Sequence, residues 1–168
     1  MSATGRREFF LSLLAPLHAK KQPLIRPPYA HNPSLFEKHC PTCDAPCADV
    51  CPEGIITINK TQGAHLNFSF NGCHFCPLCA EACPNDVLRP SENATIGARF
   101  LIDIQSCLGW NQTMCYACKD SCVHDAIEFF GLFRPEIIPD LCVGCGACLS
   151  KCPTQSISIH ASQGERHA

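Results

Sequence analysis

CVGCGACLSKCP at residues 142–153 and CHFCPLCAEACP at residues 73–84 share one pattern of cysteines, C-x2-C-x2-C-x3-C-P. The first three cysteines of the pattern are spaced so that one short loop carries three thiols around a small volume. The fourth follows on a helical turn that leads away from the loop, and the proline after it ends that turn. This spacing is typical of the cysteines that ligate [4Fe–4S] clusters.

All 16 cysteines of the 168-residue chain fall into four such groups. The first group is C-x2-C-x3-C-x3-C-P, with Pro46 as an extra residue before its third cysteine. The third group is C-x7-C-x2-C-x3-C, with a longer loop that contains Trp110, and Val123 replaces the proline. The predicted ligands are Cys40, Cys43, Cys47, Cys51, Cys73, Cys76, Cys79, Cys83, Cys107, Cys115, Cys118, Cys122, Cys142, Cys145, Cys148 and Cys152.

Hairpin-like segments join the first group to the second and the third to the fourth. In a bacterial two-cluster ferredoxin, groups joined in this way exchange their fourth cysteine, which ligates the cluster of the other group. A nested arrangement, which pairs the first group with the fourth and the second with the third, is the alternative. The exchange predicts four clusters, held by Cys40, Cys43, Cys47 and Cys83; by Cys73, Cys76, Cys79 and Cys51; by Cys107, Cys115, Cys118 and Cys152; and by Cys142, Cys145, Cys148 and Cys122.

Structural zinc and disulfides are the competing interpretations of these cysteines. Structural zinc usually binds two CxxC pairs separated by a longer spacer, and three cysteines in one short loop would crowd a single tetrahedral ion. Disulfides require an oxidising compartment, and bonds between such close neighbours constrain little chain. His39 and His74 flank cysteines, where we expect a supporting or surface role. The carboxylates show no paired arrangement and no phosphate-binding loop is present, so we expect no enzymatic activity.

The pattern between the groups predicts an α+β fold of two tandem bacterial 2[4Fe–4S] ferredoxin-like units, built from short helices and small hairpins. Alternating apolar residues at Leu66, Phe68 and Phe70 predict a half-buried strand. A polar, turn-forming stretch at 90–95 separates the two halves. We therefore predict an N-terminal arm at 1–34, one unit at 35–90, a second at 91–160 and a flexible tail at 161–168.

The segment RREFFLSLLAPL at residues 6–17 has two interpretations. Paired arginines before an apolar stretch are typical of a twin-arginine export signal. The stretch is short, contains Pro16 and lacks a clear small-residue cleavage site, which argues against export. The spacing from Phe10 to Leu17 also fits a short amphipathic helix, which would dock on a partner or a membrane surface. We expect the protein to stay in the cytoplasm, with export to the periplasm as the alternative.

The charge balance excludes one class of partner. The chain has 13 basic and 15 acidic residues and no long basic run, so we expect no binding to nucleic acid. No stretch approaches the roughly 20 apolar residues that span a bilayer.

With these motifs in place, the sequence resembles the NapF family, ferredoxin-type proteins encoded with periplasmic nitrate reductases. The resemblance is carried by the irregular third group, by IRPP at 25–28, by TIG at 95–97 and by FRP at 133–135. It implies a cytoplasmic protein with four [4Fe–4S] clusters that assists maturation of the nitrate reductase catalytic subunit. The implied partner is the precursor of that subunit before export, which would receive clusters or electrons. The alternative is an electron-transfer polyferredoxin that links a quinol-oxidising system, or proteins at the membrane surface, to a reductase.

The loop of the third group carries Trp110, the only tryptophan of the chain. Its neighbours are Gly109, Asn111 and Gln112, and so polar a loop does not bury readily. We therefore expect Trp110 to be partly exposed and to form part of a surface on which a partner docks.

Overall fold

The computed structural model describes residues 24–92 and 94–161. Short helices and two-stranded antiparallel pairs alternate along this part of the chain, which confirms a small α+β fold with short hairpins. The predicted helix at 6–17 and the tail beyond residue 161 lie outside the described residues. The helices are α1 (Ser34–His39), α2 (Pro46–Asp49), α3 (Leu78–Glu81), α4 (Ala117–Asp120) and α5 (Ala147–Lys151), and a 3₁₀ turn covers Cys40–Thr42; the strands are β1 (Ile56–Asn59), β2 (Gly63–Leu66), β3 (Ala98–Ile102), β4 (Ile127–Phe130), β5 (Phe133–Ile137) and β6 (Ile157–Ala161).

Two hairpins, β1–β2 and β4–β5, each separate two groups of cysteines. Ile56 lies opposite Leu66 in the first hairpin, and Ile127 lies opposite Ile137 in the second. The remaining pair, β3–β6, joins the two ends of the second half of the chain. An isolated bridge between Ala30 and Leu88 joins the ends of the first half in the same way. The hairpins therefore bring the first group beside the second and the third beside the fourth. Among the described helices, none is long and apolar enough to cross a membrane.

The strand predicted through Leu66, Phe68 and Phe70 is shorter than its alternation suggests. Strand β2 ends at Leu66, because the side chain of Asn67 accepts hydrogen bonds from the amide and the hydroxyl of Ser69 and turns the chain. Phe68 is still fully buried, whereas Phe70 is 83% exposed. The alternation thus predicts the burial of Leu66 and Phe68 correctly and that of Phe70 wrongly, because the turn at Asn67 ends the strand before Phe70.

Residues 24–30 pack against the first half, although the sequence places them in a separate arm that extends to residue 34. The carbonyl of Ile25 accepts a hydrogen bond from the amide of Leu66 (2.8 Å), and that of Tyr29 accepts one from the amide of Arg89 (3.0 Å). Ile25 is only 1% exposed. Pro27 and Pro28 remove amide donors from this segment, but its carbonyls remain able to accept bonds from neighbouring backbone amides.

One hydrophobic core runs through both halves of the chain. The amide of Cys73 donates to the carbonyl of Cys145 (2.7 Å), so the loops of the second and fourth groups meet directly. Beside this bond, the rings of Phe68 and Phe100 pack edge to face, with 6.1 Å between their centroids. The division into two ferredoxin-like units at 35–90 and 91–160 stays a prediction, since this core is continuous.

Gly146 makes the close contact between the halves possible. Its φ is +79°, and a Cβ at this position would lie 2.3 Å from the buried ring of Phe68. We expect Gly146→Ala to lower the free energy of unfolding by about 2 kcal/mol more than Gly131→Ala does. Gly131 has a similar φ of +70° and open space around it, so that variant isolates the backbone strain.

Chemical denaturation of both variants, loaded with iron and sulfide, measures the difference. Equal losses of stability in the two variants would mean that Phe68 can move away from an added Cβ at little cost. Gly146 would then not be required for the close contact between the halves.

Candidate metal centres

The same turn follows the fourth cysteine of every group. The third residue after this cysteine has a positive φ in every group, and the fourth residue after it is buried. The turn therefore leads the chain from the cysteine into the core. Glycine adopts a positive φ freely, and aspartate tolerates it better than most residues do. Sequence reasoning did not identify this repeated turn, although the alignment of the four groups contains it. The residues with positive φ are Gly54, Asp86, Asp125 and Gln155, and the buried residues are Ile55, Val87, Ala126 and Ser156.

Each predicted set of four cysteines lines one cavity of the structure. The four cavities are similar in size, and their walls are largely apolar. We call them the first site (Cys40, Cys43, Cys47 and Cys83), the second site (Cys73, Cys76, Cys79 and Cys51), the third site (Cys107, Cys115, Cys118 and Cys152) and the fourth site (Cys142, Cys145, Cys148 and Cys122).

The fourth cysteine of each group lies in the cavity of a neighbouring group. Helices α2 and α3 pack together, as do α4 and α5, so that each helix carries its following cysteine towards the loop of the other. The first group exchanges cysteines with the second, and the third with the fourth. This placement follows the sequential arrangement and not the nested one. The ligand roles themselves stay predictions.

The donor set of each site fits a [4Fe–4S] cluster, because four thiols can supply one sulfur to each of four irons. All 16 cysteines are free thiols in the structure. Within residues 24–92 and 94–161, no group of three or more His, Cys, Asp or Glu residues is arranged to hold a single metal ion. The sulfurs of each set therefore surround a space rather than converge on one point.

Burial controls the acidity of the thiols. It raises the pKa of Cys47, Cys73 and Cys118 to about 11 and the pKa of Cys79 and Cys148 to about 12. Neighbouring cysteines add to the effect at Cys79 and Cys148, because one thiolate disfavours the next. These thiols are protonated at neutral pH until a metal displaces the proton, since the thiolate is the ligand.

Cys152 differs from the other cysteines whose pKa is shifted. Burial raises its pKa, but hydrogen bonds from Ser156 and Thr154 outweigh burial, and the net shift is downward. The amide of Ser156 donates to the sulfur at 3.3 Å, and the hydroxyl oxygen of Ser156 lies 3.1 Å from it. The hydroxyl of Thr154 lies 3.7 Å away on the exposed side. These donors stabilise a negative charge on the sulfur.

Backbone amides also approach the near cysteines of the loops. The amide of Phe75 donates to the sulfur of Cys73 at 3.4 Å, and the amide of Gly144 opposes the rise that burial causes in the pKa of Cys142. Phe75 and Gly144 occupy the same place in the second and fourth groups, and both have a positive φ. This conformation turns the amide towards the preceding cysteine.

The four sites form a single row. Each site is lined by a residue of its own group's helix and by the cysteine that follows the helix of the paired group, so the first site is linked to the second and the fourth to the third. The hydrogen bond between Cys73 and Cys145 places the second site against the fourth. The order of neighbours in this row is therefore first, second, fourth, third, with the first and third sites as its end members.

Trp110 is partly exposed, as the sequence predicts, and it braces the long loop of the third group. Its indole nitrogen donates to the carbonyl of Pro135 (3.1 Å), and the guanidinium of Arg134 lies 5.7 Å from the ring centroid. The docking role of Trp110 stays a prediction. His74 lines the second site, and its ring lies 3.4 Å from the carboxylate of Glu53, while His39 lines the first site.

Comparison with known proteins supports the cluster chemistry. The family model "4Fe-4S binding domain" matches residues 135–158. "Ferredoxin-type protein NapF" of Escherichia coli is 36% identical over 82% of this chain and 87% of that protein. The protein of the same name from Haemophilus influenzae is 31% identical over 81% of this chain and 78% of its own length. "Methylamine utilization ferredoxin-type protein MauM" of Methylobacillus flagellatus is 27% identical over 90% of this chain and 73% of its own length.

The fold, the cysteine-lined cavities and the matched domain define an iron–sulfur protein of the ferredoxin type. The cysteines predicted to bind its clusters are carried on short loops and helical turns. The chain belongs to the NapF family of ferredoxin-type proteins.

The exchange of the fourth cysteine can be tested by counting iron in paired variants. Full loading corresponds to about 16 irons, and the loss of one site leaves about 12. We expect Cys51→Ser combined with Cys73→Ser to leave about 12, because both residues belong to the second site. Cys51→Ser combined with Cys40→Ser should leave about 8, because two sites are lost. Anaerobic reconstitution with iron and sulfide analysis provides the count, and the reverse result would show that Cys51 serves its own group.

The rate at which the clusters are loaded should rise with pH. Buried thiols with a raised pKa must lose protons before they bind iron, so a rise in pH increases the reactive fraction. We expect reconstitution at about pH 8 to be faster than at about pH 6. The growth of visible absorption during anaerobic loading measures the rate, with free cysteine and the same iron and sulfide as the control mixture. A rate that stayed constant would indicate that deprotonation does not limit loading.

Proposed function

We propose that this protein binds four [4Fe–4S] clusters and acts as a short electron relay in the periplasmic nitrate reductase system. In this proposal it works in the cytoplasm, catalyses no reaction itself and supplies electrons to the precursor of the catalytic subunit before export. The observation that carries the relay is the hydrogen bond from the Cys73 amide to the Cys145 carbonyl (2.7 Å). This bond joins the second and fourth sites, which are neighbours in the row but do not exchange a cysteine.

The packing around that bond supports electron transfer through the protein. Phe68 and Phe100 fill the junction, and Phe75 packs edge to face with His124 at a centroid distance of 6.4 Å. A rigid, closely packed junction keeps the second and fourth sites at a constant separation. An electron that enters at one end of the row can therefore reach the other end without a movement of the two halves.

Delivery of an intact cluster to the precursor is the second candidate. It is favoured by the position of the third site at one end of the row, where Met114, next to Cys115, is 67% exposed. The third site has one neighbouring site in the row, whereas the second and fourth sites each have two. Electron transfer from a quinol-oxidising system to the mature reductase would use the same relay with different partners.

The electron relay and cluster delivery differ in whether electrons or iron leave the protein. We expect the full chain, reduced with dithionite and freed of reductant, to bind the precursor and to lose reducing equivalents while it keeps all its iron. Anaerobic gel filtration after mixing, with iron analysis and visible spectra of both proteins, measures this outcome. The mature catalytic subunit, treated identically, is the matched control.

Each of the other outcomes has a distinct meaning. Iron that moved to the precursor would replace the relay by cluster delivery. Oxidation by the mature subunit alone would favour the carrier between a quinol-oxidising system and the reductase. Failure to bind either form would remove the nitrate reductase from the proposal.

A further inference from the structure

Ser156 is a polar residue buried in an apolar setting. It is 3% exposed, and it is the one polar side chain in the buried set of residues 24–92 and 94–161. Its hydroxyl oxygen lies 3.1 Å from the sulfur of Cys152, and its amide donates to the same sulfur at 3.3 Å. A hydroxyl is buried at a free-energy cost unless a hydrogen bond compensates for it. The sulfur of Cys152 supplies that bond.

The repeated turn provides an internal comparison. Ser156 occupies the fourth position after the last cysteine of its group, and the same position holds Ile55, Val87 and Ala126 in the other groups. All four side chains are buried, with exposures of 2% to 3%. The other three carry no hydrogen-bond donor in the side chain. The local fold therefore requires only a small or apolar residue here, and the hydroxyl is an addition specific to the third site.

We propose that the hydroxyl of Ser156 raises the reduction potential of the third site relative to the other three. This inference rests on the proposed cluster chemistry. It assigns a tuning role to a residue that ligates no metal and touches a single ligand, Cys152.

The direction of the effect follows from charge. A cysteine that ligates iron has no proton, so the hydroxyl of Ser156 must be the donor in this bond. Reduction adds one electron to the site without making or breaking a bond, and the ligand sulfurs share the added negative charge. A donor to sulfur stabilises the more negative state, and hydrogen bonds to the sulfurs are a recognised determinant of cluster potential. Burial strengthens the effect, because water cannot replace the donor.

The consequence concerns the direction of flow along the row. The third site lies at one end, next to the fourth, and a higher potential there draws the electron towards that end. Ser156 thus biases the relay towards the loop that carries Trp110.

Three variants of the full chain, each reconstituted to the same iron content, test the proposal. Ser156→Ala removes the hydroxyl and keeps the backbone donor. Ala126→Ser introduces a hydroxyl at the equivalent position beside Cys122, a ligand of the fourth site. Thr154→Ala removes the exposed hydroxyl that lies 3.7 Å from the sulfur of Cys152. Redox titration with dithionite, followed by electron paramagnetic resonance, gives the midpoint potentials.

We expect Ser156→Ala to lower one midpoint and to leave the others unchanged. Ala126→Ser should raise a different midpoint, and Thr154→Ala should shift the same midpoint as Ser156→Ala by less, because water replaces an exposed donor. A titration in which Ser156→Ala moves no midpoint, or moves one upward, overturns the proposal. So does loss of iron from Ser156→Ala under conditions that load the wild type, since Ser156 would then hold the site together rather than tune it.

Two further results separate this inference from the proposed function. A shift of one and the same midpoint by Ser156→Ala and Ala126→Ser would contradict the assignment of the two turns to different sites. A wild-type protein that shows no cluster signal at all would refute the cluster chemistry itself.

Discussion

The structure depends on the exchange of one cysteine between neighbouring loops. Each loop places three thiols around a cavity, and the fourth wall comes from the cysteine that ends the helix of the adjacent group. Cys51 and Cys83 are exchanged across the first half of the chain, and Cys122 and Cys152 across the second. No group can complete its own site, so two loops, two helices and the hairpin between them must fold together.

This exchange explains how so short a chain forms stable cavities. The buried side chains form a single core, but much of what surrounds each cavity is thiol and short loop. Thiols with a pKa near 11 or 12 remain neutral without metal and offer little mutual attraction. Metal–thiolate bonds would convert the same residues into strong cross-links, and their binding free energy would become folding free energy. The hairpins position the ligands, and the bound metal would hold the loops.

The two halves of the chain are alike in plan and different in detail. Both close with a contact between their first and last segments, but the first half uses a single bridge at Ala30 and Leu88 where the second uses the strand pair β3–β6. The prolines near residue 25 account for the difference, because they remove amide donors that a regular strand pair requires. The third group departs furthest from the common pattern, and Trp110 compensates by tying its long loop to the second hairpin. Local differences of this kind give chemically similar sites distinct surroundings.

The sequence by itself determined the class of protein, the α+β character and the four groups of cysteines, because the spacing within a group is a local property that a short loop enforces. It left open whether the fourth cysteines are exchanged in the sequential or in the nested arrangement. It also indicated the burial of Leu66 and Phe68, but not the exposure of Phe70, because alternation does not show where a strand ends. Only the tertiary structure decided that residues 24–30 pack against the first half, that β2 ends at Leu66 and that the second and fourth sites adjoin. These features depend on hydrogen bonds and close contacts between residues far apart in the chain, such as Cys73 with Cys145 and Gly146 with Phe68. The place of Ser156 beside Cys152 has the same origin, because a left-handed turn at Gln155 is needed to bring the hydroxyl to the sulfur.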